Sequence, residues 1–365
     1  MDKNLPKNKV SKFLEPPSDS ESLRPEANKL FLDHKLDLSL LRGLVGRSII
    51  GVEDFTREQV IEVCKLAAVL EELEIARYHP LDGKLIITAF FEASTRTRLS
   101  FESAILRLDG KIISIADGKT TGQAKGESLH DIGEMFNAYA DMVVMRHTET
   151  SAPVELLESL RIPLINAGNG TGEHPTQALA DWYALLKWNN HLLDTAPKGE
   201  KTNRFHLGIL GTPGSMRAVK SFLFMALLFQ SNIEKVTVIS EMADPFGDDV
   251  KERLSEADID YEVTIEFEDA LPTLDVIYMN SIALLGGTYQ NLDARFQLNS
   301  ESNLKKGAVI LHPLARNEEL DMSLDKTAHN LYFSQAHGAV FIRQALLMAV
   351  FNRLDSLVEQ VEITE

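Results

Sequence analysis

Short apolar runs recur along most of the chain, separated by stretches in which apolar residues return every three or four positions. The runs are 85–91, 112–115, 142–145, 163–166, 205–210, 236–239, 261–265, 276–279 and 308–311. Such runs are typical of strands buried on both faces of a parallel sheet, and the periodic stretches predict covering helices. Because the strands outnumber one typical sheet, we predict an α/β fold of two doubly wound parallel-sheet domains joined by helices, with an N-terminal extension.

The same pattern sets the limits of the predicted domains. Residues 1–45 hold four prolines among charged and small polar residues, and we expect an N-terminal extension outside the main fold. Residues 46–180 form the first predicted domain and 181–338 the second, which places the junction near the helix that starts at Pro175. The last helix, 339–355, is apolar on much of its surface, so we expect it to pack back on the first domain.

The sequence after Gly51 predicts the start of a helix. Thr56 with Gln59 three residues later forms a capping box, and Cys64 lies on or beside the apolar stripe that follows. The stripe is Val60, Val63, Ala67 and Leu70. A buried structural thiol is the expected role of this single cysteine, which has no partner for an internal disulfide.

Composition limits the classes of function. The chain has 365 residues with 37 basic and 54 acidic side chains, so its formal charge of −17 argues against general nucleic-acid or anionic-membrane binding. An anionic ligand therefore needs a local basic site. No apolar run approaches the roughly 20 residues of a membrane span, and no His/Cys pattern suggests a metal, so we expect a cytoplasmic protein without metal or cofactor.

The most specific chemistry follows the first run. Ser94, Thr95, Arg96 and Thr97 open a helix directly after a predicted strand. Hydroxyls and guanidinium groups at a helix N-terminus, where backbone N–H groups point outward, are what binding a phosphate requires. The alternative is an ordinary helix start with surface arginines.

Two further strand ends carry candidate donors. Run 142–145 ends in Arg146, and a glycine-rich stretch after run 163–166 leads to His174 and Gln177. Pro175 suits the first position of a helix, which would make His174 the N-cap facing the strand ends. A neutral imidazole and an arginine can donate hydrogen bonds to an oxygen that gains negative charge. A structural histidine is the alternative.

The second half offers weaker signals. Gly208, Gly211 and Gly214 follow a strand, but the Gly-x-Gly-x-x-Gly spacing of a dinucleotide site is absent, so we favour a close helix-strand turn over a nicotinamide site. The same loop carries Arg217. The segment 312–316, His-Pro-Leu-Ala-Arg, closes the last strand.

Segment 90–102, Phe-Phe-Glu-Ala-Ser-Thr-Arg-Thr-Arg-Leu-Ser-Phe-Glu, resembles the carbamoyl-phosphate site of the aspartate and ornithine carbamoyltransferases. The resemblance spans about residues 46–353, with further matches at 125–127, 145–147, 166–168, 174–177, 312–314 and 341–346. Met-Arg-His at 145–147 and His-Pro-Leu at 312–314 are closer to the aspartate enzymes.

This resemblance implies a role for each motif. Ser94–Thr97 would bind the phosphate of carbamoyl phosphate, with Arg96, Thr97, Arg146 and His174 as the catalytic set. Gln177 and the carbonyl of Leu314 would hold the carbamoyl NH₂. The family also implies a homotrimer with shared active sites, to which the neighbouring subunit contributes Thr121 and Lys125. The implied acceptor site comprises Arg217, Lys125, Ser281, Leu314 and Arg316.

One departure affects the acceptor. Aspartate enzymes carry an arginine and a glutamine after the strand that ends in Tyr-Met, whereas this chain has Ser281 and Ala283. Loss of a charge-assisted pair weakens binding of aspartate's second carboxylate unless Arg316, Lys125 or another base substitutes. Leu-Leu-Gly at 284–286 stands where ornithine enzymes have Ser-Met-Gly, so ornithine is not favoured either.

We therefore expect a carbamoyltransferase that moves the carbamoyl group of carbamoyl phosphate to the amino group of a small amino-acid acceptor. L-Aspartate is the first choice, as in pyrimidine biosynthesis, and a different amino or amide acceptor is the nearest alternative. A non-catalytic paralogue with a regulatory or scaffolding role is a second alternative, and a nicotinamide dehydrogenase a third. The sequence leaves open whether a regulatory chain binds.

Overall fold

The computed structural model describes residues 25–30, 35–73, 78–195, 203–257, 259–280, 282–285, 288–291, 296–355 and 363–364. The strands in these residues are β1 (Leu36–Asp37), β2 (Leu85–Phe90), β3 (Lys111–Ile115), β4 (Met142–His147), β5 (Leu164–Asn169), β6 (Phe205–Leu210), β7 (Ile233–Ile239), β8 (Tyr261–Thr264), β9 (Val276–Met279), β10 (Ile282–Leu285), β11 (Thr288–Asn291), β12 (Val309–Leu311) and β13 (Ile363–Thr364). The α-helices are α1 (Leu38–Arg42), α2 (Arg57–Glu72), α3 (Thr95–Arg107), α4 (Leu129–Tyr139), α5 (Ala152–Leu157), α6 (Pro175–Trp188), α7 (Arg217–Leu228), α8 (Asp248–Glu256), α9 (Phe267–Ala270) and α10 (Tyr332–Val350).

Four parallel strands form the first sheet, in the order β3-β2-β4-β5. The chain enters at the inner strand β2, adds β3 on one side, and then returns to add β4 on the other. The direction of strand addition therefore reverses between β2 and β4. Ligand crevices of open α/β sheets lie at such a switch point, beyond the carboxyl ends of the strands.

Five parallel strands form the second sheet, in the order β12-β9-β6-β7-β8, and its switch point lies between β6 and β9. All nine predicted strands are present, with ends that differ from the prediction by at most three residues. The predicted fold of two parallel-sheet α/β units is therefore confirmed. The antiparallel hairpin of β10 and β11 was not predicted.

Helices join the two sheets into one structure. α10 packs on α2, α3 and α6, and α6 packs on α7, where the Trp182 ring lies 5.6 Å from the Phe222 ring. α10 begins at Tyr332, seven residues before the predicted start of the last helix. The predicted domain limits at 180 and 338 both fall inside helices: α6, which contacts β5 and α7, and α10, which contacts α2, α3 and β12.

Part of the segment predicted as an N-terminal extension packs into the core. Apolar side chains of this segment are completely buried or nearly so: Ala27, Leu30, Leu36, Leu38, Leu41 and Leu44. The backbone N–H of Asp37 donates to Glu62 of α2 at 2.7 Å. Burial of these leucines outweighs the prolines and charges that suggested an extension. Residues 1–24 lie outside the described residues.

The predicted start of α2 is confirmed. Thr56 and Gln59 form the reciprocal capping box, and Cys64 is buried in the apolar core, which raises the pKa of its thiol. Among the described residues, no helix is long and apolar enough to cross a bilayer.

Candidate active site

The switch points of the two sheets open into one shared cleft of about 910 Å³. Its walls are the end of β4, the turns after β2, β5, β6, β9 and β12, and residues of α3, α6, α7 and α10. Nine residues singled out from the sequence line it: Ser94, Thr95, Arg96, Thr97, Arg146, His174, Gln177, Arg217 and Leu314. Residues scattered over 220 positions of sequence thus meet at one place.

The hydroxyl-rich turn lies where an anion site requires it. Ser94 is the N-cap of α3, and the helix runs for 13 residues behind it. Arg96 projects into the cleft, whereas Arg98 turns back toward Glu102 at 3.5 Å. Free N–H groups at the helix start, two threonines and one guanidinium therefore face the same space, which favours a phosphate.

His174 lies at the floor of the cleft. It is the N-cap of α6 with Pro175 at the first helical position, as predicted, and its backbone N–H donates to Ser221 Oγ at 2.8 Å. Its Nε2 lies 3.5 Å from Thr97 Oγ1. Burial, and then the positive charges of Arg146, Arg217 and Arg343, hold its pKa well below the usual range. The imidazole is therefore neutral at neutral pH and keeps a single N–H to donate.

A carboxylate that was not predicted organises the two arginines. Glu92 accepts from Arg146 Nη2 at 2.8 Å and from Arg217 Nη1 and Nη2 at 2.8 and 2.7 Å. Arg146 ends β4 of the first sheet, whereas Arg217 begins α7 behind the second sheet. Glu92 therefore ties the two sides of the cleft together through charge-assisted hydrogen bonds. The available signal was its position, directly after the predicted strand 85–91.

Gly168 makes room for this cluster. Its φ of +113° favours glycine, and a Cβ atom there would lie 3.1 Å from Arg146 Nη1 and 3.2 Å from Arg217 Nε. The carbonyl of Gly170 accepts from Arg217 Nη1 at 2.9 Å. The backbone between β5 and α6 therefore approaches both guanidinium groups more closely than a residue with a side chain would allow.

Behind Gln177 lies a buried polar group, Asp181, that was also not predicted. Its Oδ1 accepts from Gln177 Nε2 and from Gln335 Nε2, each at 2.6 Å. Burial raises the pKa of Asp181 to about 7, and the surrounding hydrogen bonds and Arg343 oppose that rise. An aspartate amid the apolar residues of α6 was the only sequence signal for this group.

The turn after β12 presents Leu314 to the cleft. His312 Nδ1 accepts from the Leu314 backbone N–H at 2.9 Å, and His312 Nε2 lies 3.0 Å from Glu319 Oε1. Because Nδ1 accepts, Nε2 carries the proton and donates it to the carboxylate. The buried His312–Glu319 pair therefore holds the backbone on which Leu314 lies.

Three predicted residues, Arg316, Thr121 and Lys125, are not brought into this cleft. Arg316 donates to Asp325 through both terminal nitrogens, with Nη2 at 2.7 Å. Thr121 and Lys125 lie on the short 3₁₀ turns Gly118–Thr120 and Gly122–Lys125 and their flanks, away from the lining residues. Ser281 lies outside the described residues.

Two glycines, one within β6 and one in the turn that follows it, have packing roles. A Cβ atom on Gly214 would lie 2.5 Å from the backbone nitrogen of Gly247, and one on Gly208 would lie 2.3 Å from Leu274 Cδ1. Close approach of the Gly247 backbone therefore explains Gly214, and close packing of the Leu274 side chain explains Gly208, in agreement with the helix-strand turn favoured from the sequence.

These features define a two-sheet α/β enzyme with an anion-binding cleft between its halves. Residues 47–187 match the model of the aspartate/ornithine carbamoyltransferase carbamoyl-P binding domain, and residues 204–350 match that of the Asp/Orn binding domain. The chain belongs to the aspartate/ornithine carbamoyltransferase family and is a carbamoyltransferase.

Similar proteins include the aspartate carbamoyltransferase catalytic subunits of Thermococcus kodakarensis and Chromobacterium violaceum. The first is 36% identical, covering 83% of this chain and 96% of that protein, and the second is 34% identical, covering 84% and 98%. Among solved structures, aspartate transcarbamoylase from Trypanosoma cruzi in complex with carbamoyl phosphate and aspartate is 27% identical with a TM-score of 0.72, covering 85% of this chain and 98% of that one.

Proposed function

We propose that this protein transfers the carbamoyl group of carbamoyl phosphate to the amino group of L-aspartate. The shared cleft carries this proposal, because it sets the anion-binding turn and His174 of the first sheet opposite Arg217 and Leu314 of the second. The printed names of the relatives, aspartate carbamoyltransferase catalytic subunits, support aspartate as the acceptor.

The reaction follows from the placement of donors and acceptors. Ser94–Thr97 hold the phosphate while the aspartate amine attacks the carbonyl carbon and forms a C–N bond. Thr97, Arg146 and neutral His174 donate hydrogen bonds to the oxyanion of the tetrahedral intermediate, which is preorganised electrostatic stabilisation. The C–O bond to phosphate then breaks, and the departing phosphate accepts the proton of the amine. Holding both substrates in one cleft supplies much of the acceleration.

The site is proposed to be completed in a homotrimer, with Thr121 and Lys125 supplied by a neighbouring subunit. Lys125 is exposed, and α3 exposes the apolar side chains of Leu99 and Leu106 at 51% and 62%. Mixing Lys125→Ala and His174→Ala proteins, each with impaired activity, under subunit exchange tests this arrangement. Shared sites restore activity, because some sites then combine an intact lysine with an intact histidine. Mixtures that stay inactive although subunits exchange contradict it.

An acceptor screen tests the function itself. Phosphate release from carbamoyl phosphate is measured with aspartate, ornithine, acylated ornithines, diamines and oxamate, and the ureido product is identified by mass. Aspartate is expected to give the highest kcat/KM. A higher value with another acceptor points to the departure at Ser281 and Ala283, and binding of carbamoyl phosphate without turnover points to a non-catalytic paralogue.

A further inference from the structure

Asp181 occupies a central position that the reaction described above does not use. It lies on α6 one turn after Gln177, and its side chain is completely buried. One oxygen, Oδ1, accepts from the amide nitrogens of Gln177 on α6 and Gln335 on α10, each at 2.6 Å. A single carboxyl group therefore holds the side chains of two cleft-lining residues.

The two hydrogen bonds determine which way each amide points. A carboxylate only accepts hydrogen bonds, and even a protonated acid accepts at the oxygen that lacks the proton. Each glutamine must therefore turn its NH₂ toward Asp181 and its oxygen away. Gln335 Oε1 accepts from the backbone N–H of His312 at 2.9 Å. Gln177 lines the cleft, so its oxygen is the part of the amide offered to a ligand.

The same carboxyl group acts on the opposite wall of the cleft. Gln335 holds the backbone of His312, and the imidazole of His312 holds the N–H of Leu314 at 2.9 Å. Asp181 is thus connected to Leu314 through Gln335 and His312. The side-chain oxygen of Gln177 and the backbone oxygen of Leu314 come from different sheets, and Asp181 is the group to which both are connected.

We propose that Asp181 is a positioning residue that orients both hydrogen-bond acceptors of the donor's NH₂ group, an inference that rests on the proposed function. Two fixed oxygens match a group with two N–H bonds and leave a methyl group in the same place without hydrogen bonds. Buried acceptors left without a hydrogen-bond donor cost free energy. A site with such acceptors therefore discriminates strongly against an analogue that lacks the NH₂ group. Asp181 therefore sets the preference for carbamoyl phosphate over acetyl phosphate.

The experiment compares the affinities for these two phosphates. The dissociation constants of carbamoyl phosphate, acetyl phosphate and inorganic phosphate are measured by calorimetry on the full chain. In Asp181→Leu, which removes the acceptor, we expect carbamoyl phosphate to bind about 10-fold to 100-fold more weakly. Acetyl phosphate and inorganic phosphate are expected to change less than about threefold, because Ser94–Thr97 hold the phosphate in both. Asp181→Asn retains one acceptor oxygen and should recover most of the preference.

Two further variants separate positioning from folding. Glu62→Gln alters a carboxylate that is also buried but lies on α2, paired with Lys65 at 2.7 Å, and should leave the preference unchanged. Gln335→Met removes only the hydrogen bonds that connect Asp181 to His312. It should lower the preference for carbamoyl phosphate over acetyl phosphate about fivefold. This variant tests the proposal if Asp181→Leu does not fold.

The outcomes are distinguishable. A folded Asp181→Leu protein, or Gln335→Met in its place, with the wild-type preference overturns the role of Asp181. Wild-type protein that binds carbamoyl phosphate but transfers it to no acceptor contradicts the proposed function alone, and the binding comparison still tests Asp181.

Discussion

The two walls of the cleft differ in how their candidate binding residues are distributed along the sequence. The donor wall belongs to the first sheet and the acceptor wall to the second. On the donor wall, the residues proposed to bind the phosphate, Ser94–Thr97, follow one another at the turn between β2 and α3, and all of them line the cleft. On the acceptor wall, Arg217 and Leu314 line the cleft, but Arg316 is paired with Asp325 and Ser281 lies outside the described residues. A binding site formed by one helix start is thus easier to predict from the sequence than one formed by separate loops.

Charge pairing explains much of this difference. Arg96 of the donor wall faces the cleft directly, whereas Arg217 of the acceptor wall is engaged by Glu92 through two hydrogen bonds. An acceptor carboxylate must therefore share Arg217 with Glu92 or displace it. Spacing in the sequence predicts that an arginine is near, but the partner that occupies it depends on the tertiary fold.

The largest expected effect is on the donor wall. His174→Ala removes a neutral hydrogen-bond donor to the oxyanion, and loss of one such donor lowers kcat by about 100-fold to 1000-fold. The KM for carbamoyl phosphate should change little, because Ser94–Thr97 remain. Steady-state kinetics measure both quantities, with His191→Ala, an exposed histidine outside the cleft, as the control. A loss of less than tenfold would show that the oxyanion is stabilised by other groups.

The fold was largely predictable because burial on both faces leaves a continuous apolar run, and all nine such runs became strands. The functions of Glu92, Asp181 and Gln335 were not predictable, because each depends on partners more than 50 residues away for at least one of its bonds. Residues 27–44 were placed outside the fold because prolines and charges around them masked six apolar positions that only tertiary packing buries.

The next prediction compares the effects of substituting two arginines of the acceptor wall, Arg217 and Arg316. Arg217→Ala should raise the KM for aspartate about 10-fold to 100-fold, the value of a hydrogen-bonded charge contact, with little change in the KM for carbamoyl phosphate. Arg316→Ala should leave both KM values within about twofold and lower the free energy of unfolding by about 1 kcal/mol through loss of the Asp325 pair. If Arg316→Ala raises the KM for aspartate as much as Arg217→Ala, then Arg316 leaves Asp325 to bind the acceptor.

The raised pKa of Asp181 predicts that the free energy of unfolding depends on pH. Its pKa of about 7 in the folded protein exceeds the usual 3.8, so the folded state binds more protons between these values. Stability from this group is complete below pH 4 and is lost as the pH rises toward 7. Relative to Asp181→Asn, the wild-type free energy of unfolding should fall by about 2 kcal/mol from pH 5 to pH 8. Urea unfolding at fixed protein concentration measures it, and parallel pH profiles would contradict the raised pKa.

The smallest expected effect concerns the acceptor's second carboxylate. Ser281 stands where the aspartate enzymes resembled by this chain carry an arginine, so Ser281→Arg should lower the KM for aspartate about tenfold, equivalent to about 1.4 kcal/mol. Ser281→Gln is the control, because it adds length and hydrogen bonding without the charge. Kinetics with both variants are compared with those of the wild type.

The direction of this change distinguishes two explanations of the acceptor wall. If Ser281→Arg improves aspartate binding and Ser281→Gln does not, the wild-type wall lacks a cation that a dicarboxylate would use, and Arg217 alone anchors aspartate. If neither variant changes the KM, another base already binds the second carboxylate. Lys125 of a neighbouring subunit in the proposed homotrimer is then the first candidate, and Lys125→Ala should raise the KM for aspartate. Substitutions on the donor wall cannot distinguish alternative binding groups in this way, because the proposed phosphate contacts all come from one helix start.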